Sequence, residues 1–211
     1  MKNLKFIVYL LFVAVSFSAA YAGSLEDFFR AVRTDDAGEV ANLLARGFDA
    51  NAHDEKGDTA LGLAVHEGSD RVVEVLLNQP KLDINAMNNV GETALMFAAL
   101  KGRLDLSQRL IARGARISQP GWNPLHYAAT GPEPKIVALL LQRGAPIEAR
   151  SPNGTTALMM AARYGSEDSV TLLLAQHADG TLRNERGMNA ADFARSAGRE
   201  ELAKRLDSRL P

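Results

Sequence analysis

Residues 121–129 read Gly-Trp-Asn-Pro-Leu-His-Tyr-Ala-Ala, and the same frame returns on both sides of them. Upstream it is Gly57-Asp58-Thr59-Ala60-Leu61 and Gly91-Glu92-Thr93-Ala94-Leu95. Downstream it is Gly154-Thr155-Thr156-Ala157-Leu158 and a weaker Gly187-Met188-Asn189-Ala190-Ala191. The glycines step by 34, 30, 33 and 33 residues. Each strong copy runs into a small-residue pair: Ala64-Val65, Ala98-Ala99, Ala128-Ala129 and Ala161-Ala162. An apolar block follows, as in Val72-Val73 with Leu76-Leu77, or Ile136-Val137 with Leu140-Leu141. Several copies close on a glycine: Gly47-Phe48, Gly114-Ala115, Gly144-Ala145. Self-similarity at a period of this length is the mark of a repeat architecture.

Each part of the frame has a physical reason. Thr59, Thr93 and Thr156 stand where a helix should begin, and Asn123 and Asn189 substitute another side chain that caps free N–H groups. Ala or Pro follows at the first helical position, where a missing N–H is harmless. The Ala pairs predict a first helix whose short side chains let neighbouring repeats approach closely. The Val/Leu blocks predict a second helix with an apolar stripe. Gly114 and Gly144 fall where that helix ends and the chain must turn. No single pair of helices can bury its stripe alone, so neighbours must stack and stability becomes a nearest-neighbour property.

These residues resemble the ankyrin repeat, a 33-residue family pattern with a Thr-Pro-Leu-His-x-Ala core. The fullest copy is Asn123-Pro124-Leu125-His126-Tyr127-Ala128-Ala129. The resemblance implies an all-α solenoid of about six stacked helix-turn-helix repeats joined by short β-hairpins or loops. The expected units are 24–54 as an N-terminal cap, then 55–88, 89–118, 119–150, 151–183, and 184–211 as a C-terminal cap. Residues 24–47 supply two helices without a preceding hairpin. Lys204, Arg205 and Arg209 decorate the last helix, and such polar outer faces suit terminal repeats. Together these ends lead us to expect a complete array and a monomer.

The first 22 residues are of another kind. Lys2 and Lys5 precede an almost wholly apolar run from Phe6 to Phe17, and Ala20-Tyr21-Ala22 has the small-x-small form of a cleavage site. This is the plan of a secretory signal peptide, with cleavage expected before Gly23. A run of about a dozen apolar residues is short for a span, which needs roughly 20. The expected domains are therefore 1–22, a signal peptide, and 23–211, the repeat domain, exported to the periplasm or secreted, with no integral span after cleavage. Without the two lysines, 22 basic residues face 25 acidic ones, a net charge of −3. That balance gives no field for gathering nucleic acid. The chain has no cysteine, so its core must hold it without disulfides.

Catalytic constellations are not found. His53, His66, His126 and His177 lie in different repeats, and none has a second His or a Cys at ligand spacing. There is no Gly-rich phosphate loop and no Gly-x-Ser-x-Gly turn. No enzyme activity, cofactor or metal is expected. His126 is the family's own histidine, and the resemblance implies hydrogen bonding between neighbouring loops.

Function is then sought in departures from the frame. The link from Gly114 to Gly121 is 7 residues, against 10 for Gly47 to Gly57 and Gly144 to Gly154. This shortened hairpin carries Trp122, the only tryptophan. Gln79-Pro80-Lys81-Leu82 adds one residue to its link, and Gly131-Pro132-Glu133-Pro134 stiffens a helix-to-helix turn. The resemblance places a protein partner on the concave side, formed by hairpin tips and the exposed edge of the first helices. The candidates on that strip are His66, Glu67, Val90, Leu100, Lys101, Trp122, Arg163 and Tyr164. Aromatic residues and Arg dominate binding energy at interfaces. Trp122 could equally cover the gap left by its own short hairpin. Short bacterial ankyrin proteins with export signals that support periplasmic catalases in peroxide resistance are one reading implied by the resemblance. An immunity or inhibitor protein against a toxic enzyme of the same compartment is another, and a secreted effector binding host proteins a third.

Overall fold

The computed structural model describes residues 25–208. The expected signal peptide, 1–22, lies outside the described residues, as does Arg209. The chain divides into two compact units, residues 1–83 and 84–211, and each is taken by itself.

In the first unit, α1 covers residues 25–33 and α2 is Ala37–Ala45, followed by α3, Ala60–Glu67, and α4, Asp70–Leu77. Phe28, Phe29, Ala31 and Val32 of α1 are buried with Val40 and Leu43 of α2 and with Val72, Val73, Leu76 and Leu77 of α4. Asp35, between α1 and α2, accepts from Arg71 Nε and from the Val72 backbone N–H, both at 3.0 Å, and so ties that turn to the start of α4.

The second unit is four helix pairs. They are α5, Ala94–Leu100, with α6, Leu104–Ala112; α7, Pro124–Thr130, with α8, Pro134–Gln142; α9, Ala157–Tyr164, with α10, Glu167–Ala175; and α11, Ala190–Ser196, with α12, Glu200–Asp207. α7 packs between α5 and α9, and α9 between α7 and α11, so the first helices form one layer. α8 lies against α6 and α10 in the other layer. With α1/α2 and α3/α4, six helix pairs are present among the described residues, an all-α repeat fold as the spacing predicts.

The helix starts fall where the sequence places them. The side chains of Thr59, Thr93, Thr156 and Asn189 accept from the backbone N–H of Gly62, Met96, Met159 and Asp192, and Asn123 accepts from Leu125. All five caps are buried. The Ala pairs are essentially sealed, as are Leu110, Ile136, Leu140 and Leu173. Burial of this kind supplies roughly 1.5–3 kcal/mol per large side chain, which is what the stacking is for.

The connections are loops rather than paired strands. One isolated bridge joins His53 to Thr59. In that loop and in others a side chain three residues before the frame glycine organises the tip. Asp54 accepts from the N–H of Lys56 and Asp58, Asn88 from Val90 and Glu92, and Asn184 from Arg186 and Met188. At the end of the second helices, Gly144 has φ +88, a left-handed conformation natural to glycine. The equivalent position after α10 is His177, which adopts the same region at φ +66.

Candidate partner-binding surface

Within the second unit the loop tips stand side by side, joined by direct bonds. Gln119 Nε2 donates to the Gly91 carbonyl at 2.9 Å and to the Trp122 carbonyl at 3.0 Å. One amide thus bridges the tip carrying Val90 to the shortened tip carrying Trp122. His126 Nε2 reaches the Thr155 carbonyl at 3.0 Å, the Glu185 N–H donates to Asn153 O at 3.1 Å, and Arg150 Nη1 donates to Arg183 O at 3.0 Å. His126 therefore bonds between neighbouring loops, as the resemblance implies.

The six candidates in this unit differ in exposure. Val90 and Tyr164 are 74% and 57% exposed, and with Met87 they are the exposed large hydrophobic residues among the described ones. Lys101 is exposed, while Leu100, Trp122 and Arg163 are half-buried. Arg163 lies over the Tyr164 ring, its guanidinium 5.1 Å from the centroid, which holds both side chains at the end of α9. Trp122 meets the His126 ring edge-on at 5.3 Å. The indole is thus half-buried, with His126 of α7 against it.

His66 and Glu67 belong to the first unit. His66 Nδ1 lies 3.2 Å from Glu67 Oε1, with both side chains close to half exposed. A cleft of about 530 Å³ also opens in that unit, lined by Leu25, Phe29, Arg33, Asp54 and Lys56 among others. Its strongest electrostatic feature is the Arg33–Asp54 ion pair, an arrangement that fixes a loop rather than moving a proton. Among the described residues no cluster of His, Cys, Asp and Glu is arranged to hold a metal. No helix among them is long and apolar enough to cross a membrane.

A polar network on the strip escapes sequence reasoning. Tyr127 donates its hydroxyl to Glu92 Oε1 at 2.6 Å, and Asn88 Nδ2 donates to Glu92 Oε2 at 2.8 Å. Burial raises the phenol pKa, and the Glu92 carboxylate raises it further, so Tyr127 stays a donor. The signal was a lone hydroxyl: the column containing Tyr127 otherwise reads Leu63, Phe97, Met160 and Phe193.

The family model for ankyrin repeats matches in three copies, over residues 28–120, 80–151 and 117–184. The chain belongs to the ankyrin-repeat family. Among curated relatives, this ankyrin chain is 36% identical over 117 residues to a transient receptor potential cation channel subfamily A member 1 homolog of Caenorhabditis elegans, a match covering 54% of it and 10% of that protein. It is 31% identical over 161 residues to the nuclear factor NF-kappa-B p105 subunit of Gallus gallus, covering 73% of it and 16% of that protein. The ankyrin chain therefore spans a small part of these relatives. Among solved structures it is similar to a chain in the complex of the Bd0816 predatory endopeptidase from Bdellovibrio bacteriovorus with immunity protein Bd3460. That likeness has 31% identity and a TM-score of 0.72, and covers 87% of this chain and 98% of the other. Ankyrin membership makes the chain a protein-interaction module in kind.

Proposed function

We propose that this chain is an exported, non-catalytic ankyrin module that captures an enzyme of its own compartment and restrains it, in the manner of an immunity protein. The observation that carries this reading is the near end-to-end likeness to a chain of the endopeptidase–immunity protein complex. The channel and transcription-factor relatives, by contrast, match over small fractions of their length. The outward Val90 and the Arg163–Tyr164 pair supply apolar and cationic contact of the sort that anchors interfaces. The signal-like segment 1–22 supplies the export.

The test is affinity capture with the tagged chain from an envelope extract of its source cell, followed by assay of what is held. An enzyme whose activity falls in proportion to added chain is the expected catch, with release on Tyr164→Ala. A captured enzyme that keeps full activity at saturation, or a catalase made more active, would refute the inhibitory reading. Export is checked separately by N-terminal sequencing, which should begin at Gly23. An intact Met1 on cytoplasmic protein would remove that part.

A further inference from the structure

The loop tip of the fifth repeat is organised differently from the others. In three tips the side chain three residues before the frame glycine is Asp or Asn and gathers the N–H groups of the turn, as Asp54, Asn88 and Asn184 do. The fifth repeat has Ser151 in that column. The Ser151 hydroxyl accepts from the Thr155 N–H at 3.0 Å and donates its own proton to Asn153 Oδ1 at 2.6 Å. Asn153 Oδ1 takes a second, longer bond from the Thr155 N–H at 3.3 Å. The role of the missing Asp or Asn is thus shared with Asn153, in a column that otherwise reads Lys56, Val90, Pro120 and Arg186.

Asn153 precedes Gly154, the one Asn-Gly pair in the chain. The carbon of an Asn side chain can be attacked by the backbone nitrogen of the next residue, closing a five-membered ring, and a glycine there puts no side chain in the way. Asn153 is exposed. The two donors on its Oδ1 polarise the amide and favour the negative charge that forms on that oxygen during attack. One bond stands against the reaction: the Gly154 N–H donates to the Ser151 carbonyl at 2.8 Å. Cγ must take the place of that hydrogen, so the ring closes only when the turn opens. The turn is held from the side. Arg150 Nη1 donates to the carbonyls of Gly154 at 3.3 Å and Arg183 at 3.0 Å, and the Glu185 N–H donates to Asn153 O at 3.1 Å. A Cβ on Gly154 would lie 3.4 Å from Asn184 Cα and from Glu185 N, so the two tips are in close contact.

We infer that Asn153 is a site of spontaneous covalent modification, hydrolysed through a cyclic imide at a rate governed by the contacts between this tip and the next. Once the Ser151 bond breaks, the Gly154 nitrogen gives its proton to hydroxide and attacks Asn153 Cγ. The N–Cγ bond forms and the Cγ–Nδ2 bond breaks, and Nδ2 takes a proton from water and leaves as ammonia. Water then opens the imide at one of its two carbonyls, leaving aspartate or isoaspartate. Aspartate keeps the acceptor at Oδ1 and an unchanged backbone. Isoaspartate adds a methylene to the main chain, which moves Asn153 O away from Glu185 and parts the two tips. Both products place a negative charge on a neutral tip.

The full chain is incubated in mildly alkaline buffer, folded in one series and in concentrated urea in the other. Peptide mass after digestion follows loss of the amide at Asn153, and methylation by a protein isoaspartate methyltransferase reports isoaspartate. The folded chain should convert about tenfold more slowly than the unfolded one, as for a tip that is open about a tenth of the time. Arg150→Ala should speed conversion several-fold in the folded series and leave the urea series unchanged. Both chains are compared at a temperature where circular dichroism shows them fully folded. Asn153→Gln, whose ring would need six members, should block the reaction. Converted chains carrying isoaspartate should lose hydrogen-exchange protection at the Glu185 N–H, and Asn153→Asp should keep it. Equal rates in the folded and urea series, no conversion of the folded chain while the urea series goes to completion, or a folded rate indifferent to Arg150→Ala would each overturn the assignment.

Discussion

His126 is wedged between two backbone groups, its Nε2 3.0 Å from the Thr155 carbonyl oxygen and its Nδ1 3.3 Å from the Asn123 nitrogen. Nε2 therefore carries the hydrogen and Nδ1 accepts one, which is the neutral ring. A second proton would set two N–H groups against each other at Asn123. Burial lowers the pKa from its ordinary 6.5, outweighing the Thr155 and Ala149 backbone contacts that favour the charged form. The unfolded chain takes up a proton near pH 6.5 and the folded one does not, so stability is level above that pH and falls below it. Asp35 acts in a lower window. Burial opposes its charge, but the Val72 N–H and Arg71 outweigh it and hold the carboxyl below 3.8, so its contribution is lost only in stronger acid. Urea midpoints between pH 8 and 5 should drop on the acid side, and His126→Gln should flatten that drop. A midpoint unchanged from pH 7.5 to 5.5 would refute this account.

Tyr127→Phe removes the hydroxyl that Glu92 accepts from and leaves Asn88 to hold the carboxylate. A hydrogen bond to a charged group contributes about 1.5–3 kcal/mol, and the half-buried setting puts the loss toward 1 kcal/mol. Equilibrium denaturation measures it, and no loss at all would mean that water replaces the phenol.

His177 occupies a left-handed slot at φ +66 that glycine fills after α6 and α8. A side chain there costs roughly 1–2 kcal/mol, partly offset by the greater freedom glycine loses on folding. His177→Gly should raise stability by about 0.5–1 kcal/mol, read as an upward shift in Tm. A lower Tm would show that the imidazole supports the turn.

Five caps and the glycine-closed turns were legible because each is set by bonds within its own repeat, and the four small-residue pairs because the same close approach recurs at every repeat. What was not legible reaches across repeats. Gln119 to Gly91, Tyr127 to Glu92 and Arg199 to the carbonyls of Ala161, Ala162 and Gly165 join residues 28 to 38 positions apart. Periodicity tells which residues share a column but not which rotamer bridges two columns. Trp122 shows the limit well, since the short hairpin marked it as unusual without saying which way the ring would turn.

Arg199 Nη1 lies 3.1, 3.0 and 2.9 Å from those three carbonyls at the end of α9. Arg199→Ala should leave them to water and loosen the last helix pair, at about 1.5–3 kcal/mol. Hydrogen exchange should accelerate in α11 and α12 before α7. Uniform acceleration along the chain would show that the last pair does not open on its own.

Gln119 carries a consequence for how such arrays change. Its loop is three residues shorter than those before Gly57 and Gly154, yet one amide still joins it to the adjacent tip through the carbonyls of Gly91 and Trp122. Tip length and stack geometry are thus uncoupled. A hairpin can be trimmed, lengthened or exchanged for a foreign sequence so long as one side chain still grips the adjacent tip, which gives the outer rim latitude to diversify over an unchanging spine.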